Sequence, residues 1–285
     1  MIKESTNEIE SLIKIATQVR RDILRQVHGC QSGHPGGSLG CTDLLVALYF
    51  NIMKHNTNFN MKGSGEDLFF LSNGHISPLL YSVLARIGYF DIKELDTFRK
   101  LNSRLQGHPT THENLPGIRM SAGSLGQGLS VGIGAALSKK LKKENNLVFV
   151  LMGDGEQNEG QVWEAVQFAP HHKLDNLIAI VDVNGQQIDG PTEKVMSNRN
   201  LGEKYAAFGW KVLHMDGNNM AETLATLMEA KKATGNGVPI AIMMKTEMGA
   251  GVDFMMGSHK WHGVAPNNDQ LTAALNQLKE TIGDY

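Results

Sequence analysis

The sequence predicts an α/β fold, one domain built on a mostly parallel sheet with helices on both faces. Three observations carry that reading. Five short apolar runs have the length of buried strands: Leu68–Leu71, Leu147–Met152, Leu177–Val183, Lys211–Met215 and Val238–Met244. Helical patterns separate most of them, at Pro78–Ile87, Leu125–Lys143, Val162–Ala169 and Met220–Lys232. No Pro/Ser-rich linker, repeat or low-complexity tract divides residues 1–285. Strands that stay apolar on both faces are covered on both faces, and parallel neighbours need a long crossover, which the helices supply.

The remaining elements follow from period and punctuation. Ile9, Leu12, Ile13, Ala16, Val19, Ile23, Leu24 and Val27 recur at three- and four-residue steps, so residues 7–28 form an amphipathic helix. Gly29 and Gly33 end it. A second helix starts near Ser38 and carries Leu44, Leu45, Leu48 and Tyr49. Glu247–Gly263 has no regular period, is rich in Gly and Met, and reads as a long loop, of the kind that is often functional.

Composition narrows the class. At 285 residues the chain can bury a large core. Lys+Arg is 27 against Asp+Glu 29, which gives no basic surface for nucleic acid. No apolar run approaches the roughly 20 residues of a membrane helix. Met1–Glu10 is polar and acidic, unlike a signal peptide. Cys30 and Cys41 stand in no CxxC or zinc-type spacing. Two small buried thiols in a reducing cytoplasm are the expectation, with a disulfide as the alternative.

Two predicted strands end in oxygen-bearing runs, Gly153-Asp154-Gly155-Glu156 and Asp182-Val183-Asn184-Gly185. Ligands of open parallel sheets bind beyond the carboxyl ends of strands, where the strand order reverses. Asp154 and Asn184 are 30 residues apart, a span that suits one strand–helix–strand crossover. Taken singly, Asp154 could cap a helix and Asn184-Gly185 could be a turn. Together they offer a carboxylate and an amide to a hard cation that bridges phosphates. Gly153 and Gly155 leave the backbone bare for a diphosphate.

Four histidines also sit beside residues that fix the backbone: Gly33-His34-Pro35-Gly36, Asn73-Gly74-His75, Gly107-His108-Pro109 and Trp261-His262-Gly263. A lone histidine is more often a surface or core residue than a catalyst. Four in loops are candidates for proton transfer near neutral pH. His112 and the pair His171-His172 fit none of these motifs and are read as surface residues. Gly123-Ser124-Leu125-Gly126-Gln127-Gly128 opens a helix but is not G-x-G-x-x-G and follows no apolar strand, which argues against a nicotinamide dinucleotide.

Gly153-Asp154-Gly155 followed by Asn184 resembles the cofactor signature of thiamine-diphosphate enzymes. Glu159-Gly160, Glu164-Ala165, Ile188-Asp189-Gly190 and the four histidine motifs resemble the transketolase version, from about Gly29 to Pro266. The resemblance implies thiamine diphosphate with Mg²⁺, or Ca²⁺ or Mn²⁺ in its place, held by Asp154, Asn184 and the main-chain carbonyl of Gln186. It places Gly153, Gly155 and Glu159 at the cofactor, with the Gly155 N–H on the diphosphate. His75 and His262 would bond the diphosphate, while the Gly123 backbone and Leu125 would meet the aminopyrimidine. His34 and His262 would handle the proton of the donor hydroxyl, and His108 would hold the hydroxyl of the donor's first carbon. Two positions depart from the family pattern. Gln186 stands where an aliphatic residue is usual, and Thr110-Thr111 where an acidic one is common.

The resemblance covers only the diphosphate-binding half of a transketolase. It implies a separate chain with the pyrimidine-binding and C-terminal domains, and an α₂β₂ assembly with sites at subunit interfaces. The reaction implied is transfer of a two-carbon ketol unit between sugar phosphates through the thiazolium ylid. A pentose phosphate is the family default, and branched or sulfonated sugars stay open. Deoxyxylulose-phosphate synthase and the α chain of a 2-oxoacid dehydrogenase are the nearest rivals. His34, His108 and His262 suit polyol substrates better than a decarboxylated acid. A non-catalytic subunit would not be expected to keep Asp154, Glu159, Asn184 and all four histidines.

Overall fold

The computed structural model describes residues 6–285, so the first five residues of the polar start lie outside it. Among the described residues the strands are β1 (Leu68–Leu71), β2 (Val148–Gly153), β3 (Leu177–Val183), the two-residue β4 (Gln186–Gln187) and β5 (Gly190–Pro191), β6 (Lys211–Asp216) and β7 (Ile240–Lys245). Five of them form one sheet in the order β1-β2-β3-β7-β6, with every pair parallel. β4 and β5 make a separate antiparallel ribbon. The order reverses between β3 and β7, and that switch point opens a crevice at the carboxyl ends.

Burial explains the layers. On one face α1 (Thr6–Gly29), α3 (Thr42–Ala47), α4 (Ser77–Arg86) and α9 (Met220–Ala233) bury Ile23, Leu44, Leu79 and Leu224 against Phe149, Ile178 and Ile240. On the other, α5 (Gly128–Leu141), α6 (Gly160–His171) and α8 (Leu201–Ala207) bury Leu129, Val166 and Tyr205 against Val148, Val150 and Ala179. Successive strand residues therefore alternate between two apolar cores, so β2 and β3 need no polar positions. β6 is the edge strand and carries the exposed Lys211, His214 and Asp216, charges that discourage further strand pairing.

The predicted strands all form, with ends moved by one or two residues. β7 begins after Pro239, which has no N–H to donate. The helix expected from Leu125 begins at Gly128, because Gly123 and Gly126 hold φ of +139° and +84°, values outside the helical region. The helix expected near Ser38 is three pieces. α2 (Pro35–Gly40) and α3 are separated by Cys41, and a π turn at Leu48–Ile52 follows. Cys41 is buried and Cys30 only partly so; both are free thiols. Glu247–Gly263 is irregular apart from a 3₁₀ turn at His259–His262, and is tied down by Gly249 N–H to the Gly36 carbonyl at 2.9 Å. Three short helices have no period to announce them: α7 (Thr192–Met196), α8 and α10 (Asn268–Gln277). α10 has a reciprocal capping box between Asn267 and Gln270.

Candidate active site

Parallel pairing sets Gly153 beside Asp182, and the Asp154 N–H donates to the Asp182 carbonyl at 3.0 Å. The two strand tips therefore arrive level, with Asp154 and Asn184 on one rim. Asp154 is 3 % exposed. Its Oδ1 accepts from Gly155 N (2.7 Å), and its Oδ2 from Gly185 N (2.8 Å) and Thr192 Oγ1 (3.3 Å). Asn198 Nδ2 holds its main-chain carbonyl at 2.6 Å. Burial and then the nearby Asp182 push the Asp154 carboxyl up to about 7, against the relief those donors give.

Asn184 has its amide orientation fixed from behind. Its Nδ2 donates to Asp182 Oδ2 at 2.7 Å, so its Oδ1 faces the rim and takes only the Gln186 N–H at 2.9 Å. Asp182 is itself buried and also accepts from Thr246 Oγ1, and burial raises its carboxyl above the ordinary range. A third buried carboxylate, Glu156, ties the floor together. It accepts from Ser72 Oγ, from Gly126 N at 2.8 Å and from Gly153 N at 3.0 Å. The glycine-rich loop is drawn onto the end of β1 by this bond. A Cβ on Gly128 would stand 2.3 Å from the Ser72 Cβ, so only glycine allows that approach.

The four histidine motifs converge. The His34 ring lies 5.1 Å from His75, 5.7 Å from His262 and 6.2 Å from His108, between centroids. His75 and His262 stack at 5.0 Å. Burial lowers the pKa of all four. His34 falls to about 4 through burial, then through His262, Arg99 and His108. These imidazoles are thus neutral near pH 7 and able to accept a proton. His112 is exposed, as are His171 and His172 at the end of α6.

The lowered pKa of His34 couples to stability. Between its ordinary 6.5 and about 4 the unfolded chain binds a proton that the folded chain refuses, so stability falls as pH drops through that window. His34→Gln is expected to remove about 1–2 kcal/mol of the acid loss between pH 7.5 and pH 5. Urea midpoints of the ligand-free chain at the two pH values read it; an unchanged acid slope would show that His34 is not held neutral.

Asp154, Asn184, Gln186, His34, His75 and His262 line one cleft of about 310 Å³. Gly123, Leu125, Gly153, Gly155 and Glu159 line it too, with Glu159 exposed at its mouth. His108 stands next to it, behind Gly123. A larger cavity of about 470 Å³ lies on the other side of Asp154, lined by Thr192, Arg199, His214 and Lys245. The histidines converge in the smaller one, and so do five buried polar atoms without a partner: Asn73 Oδ1, Gln186 Oε1, Gln187 Nε2, His34 Nδ1 and His262 Nδ1. Such atoms are rare in folded proteins, and five around one cleft point to a polar ligand.

The donor set fits a magnesium diphosphate. Asp154 Oδ1 and Asn184 Oδ1 each accept a single bond and keep a lone pair. Among the described residues no group of three or more His, Cys, Asp or Glu is placed to hold a metal. One carboxylate, one amide and a carbonyl suit a hard cation that takes its other oxygens from phosphate and water. One expected donor is already engaged, since the Gly155 N–H is held by Asp154 Oδ1. The sequence reading missed the residues that act from behind: Asp182, Thr246, Thr192, Asn198, the Glu156 carboxylate and Arg99. The Arg99 guanidinium reaches Ser32 Oγ at 2.9 Å and packs on Gly107. Glu156 and Asp182 stand inside the motifs, but only tertiary contact reveals their burial.

Comparison with known proteins agrees with this geometry. The profile of the transketolase thiamine diphosphate binding domain matches residues 12–283. One of the two chains of the apulose-4-phosphate transketolase of Phocaeicola vulgatus is 38% identical over 275 residues, covering 96% of each sequence. A 6-deoxy-6-sulfo-D-fructose transketolase subunit from a Clostridium species is 38% identical over 265 residues, covering 93% of this chain and 95% of its own. The crystal structure of Campylobacter jejuni transketolase superposes with a TM-score of 0.87 at 33% identity, covering 94% of this chain but 43% of that one. The chain thus spans under half the length of the single-chain transketolases it matches. With the profile running over nearly its whole length and two near-full-length relatives above 30% identity, this chain belongs to the transketolase family, as a thiamine diphosphate binding domain.

Proposed function

We propose that this chain is the diphosphate-binding subunit of a two-chain transketolase. Together with a partner it transfers a two-carbon ketol unit from a ketose to an aldose. The observation that carries the reading is the convergence of two level strand tips, four neutral imidazoles and five unpartnered polar atoms on one cleft. The names of its near-full-length relatives, each a transketolase subunit, support the division into two chains. In this reading residues 1–285 are one diphosphate-binding domain. The pyrimidine-binding and C-terminal domains lie on the other chain, in an α₂β₂ assembly, and composition favours the cytoplasm.

Asp154, Asn184 and the Gln186 carbonyl hold Mg²⁺, and the cleft walls hold the cofactor. When bound, thiamine diphosphate supplies an electron sink for breaking and remaking the carbon–carbon bond. Asp182 keeps the Asn184 oxygen turned to the metal, a task for a group one shell out. His75 and His262 bond the diphosphate. His262 and His34, neutral and 5.7 Å apart, take the hydroxyl proton as the aldehyde leaves. His108 holds the hydroxyl of the donor's first carbon. Sugar phosphates are the proposed substrates. A pentose phosphate is the default, and the branched and sulfonated sugars named for the two relatives are alternatives.

The test is reconstitution. The purified chain alone is expected to show no ketol transfer, and addition of the partner chain with thiamine diphosphate and Mg²⁺ should restore it. Robust turnover by this polypeptide alone would end the two-chain proposal.

A further inference from the structure

Asp154 engages the Gly155 N–H, which leaves that end of the cleft short of a hydrogen-bond donor. The side chain lying there is Gln187. It sits on the β4–β5 ribbon, and the ribbon is closed onto the tip of β2. Gly185 N and Thr192 Oγ1 both donate to Asp154 Oδ2, and Thr192 N donates to the Gly185 carbonyl at 2.9 Å. The Gln187 amide lies over Gly155: a Cβ built there would come within 2.9 Å of Gln187 Cδ and Cγ. Gln187 lines the cleft, and its Nε2 is buried without a partner. A buried donor left unmade is costly, so a site that keeps one is built for a ligand that completes it.

The chemistry of the surroundings favours an amide. Asp154, Asp182 and Glu156 crowd this floor. A lysine or arginine here would pair with Asp154 and compete with a cation for its oxygens. A neutral N–H can meet an anion without drawing Asp154 away. We infer that Gln187 is a further anchor of the cofactor, its amide Nε2 donating to the diphosphate where the engaged Gly155 N–H does not. This rests on the proposed function, and the experiment separates the two.

The full chain, combined with its partner, is titrated calorimetrically with thiamine diphosphate and Mg²⁺. Gln187→Leu is expected to bind about tenfold more weakly than wild type, the size of one hydrogen bond to a charged group. Gln187→Glu should bind more weakly than Gln187→Leu, because a carboxylate would then face the diphosphate. A role confined to packing would not produce that order. Gln187→Leu binding as tightly as wild type, or Gln187→Glu matching Gln187→Leu, overturns the inference and leaves the cofactor reading intact. Failure of the wild-type pair to bind thiamine diphosphate removes that reading and this inference with it.

Discussion

Asp154→Ala is expected to lose Mg²⁺-dependent binding of thiamine diphosphate by more than about 100-fold, since even groups one shell from a metal cost about 10–100-fold when removed. The carboxylate is the only charged oxygen proposed for the ion. The same substitution removes one of two buried carboxylates that face each other, while leaving the Gly155 and Gly185 N–H groups without their acceptor. These effects on the ligand-free fold oppose each other, so its melting temperature should move little. Ligand at 100 times Kd stabilises a protein by about 2.7 kcal/mol; wild type should show that gain and the variant none. Calorimetry that finds the variant binding as tightly as wild type would remove the metal assignment.

His262→Ala should separate turnover from affinity. His262 stacks on His75, stands 5.7 Å from His34 and keeps a buried Nδ1 without a partner. Its lowered pKa leaves it a neutral base near pH 7. Losing a general base costs about 10²–10⁴-fold in rate, and losing one diphosphate contact among several costs about tenfold in affinity. The expected result is a kcat of the reconstituted pair reduced by about 10²–10⁴-fold at saturating cofactor. Dissociation constants measured alongside should rise far less. A variant that keeps kcat and loses only affinity would confine His262 to cofactor binding and return the proton to His34.

Local chemistry alone delivered the strands, the main helices, the paired Asp154 and Asn184, and the four histidine motifs. These were legible because apolar runs, glycines and short motifs act over a few residues. Short helices such as α7 and α8 were not, because their burial depends on β6 and β7, far away in sequence. The glycine-rich helix was placed too early, because a positive φ at Gly126 reflects packing against Glu159.

Tertiary structure decided which groups are charged, which are held and which are left waiting. His34, His75, His108 and His262 read alike in sequence, and only their convergence makes them neutral neighbours. Asp182 and Glu156 read as ordinary acids. Burial turns one into the keeper of the Asn184 amide and the other into the clamp of three loops. The physical reason is common to all of these: a side chain's type fixes what it can donate or accept, whereas removal from water and the company it keeps there fix its energy, and both depend on residues distant along the chain.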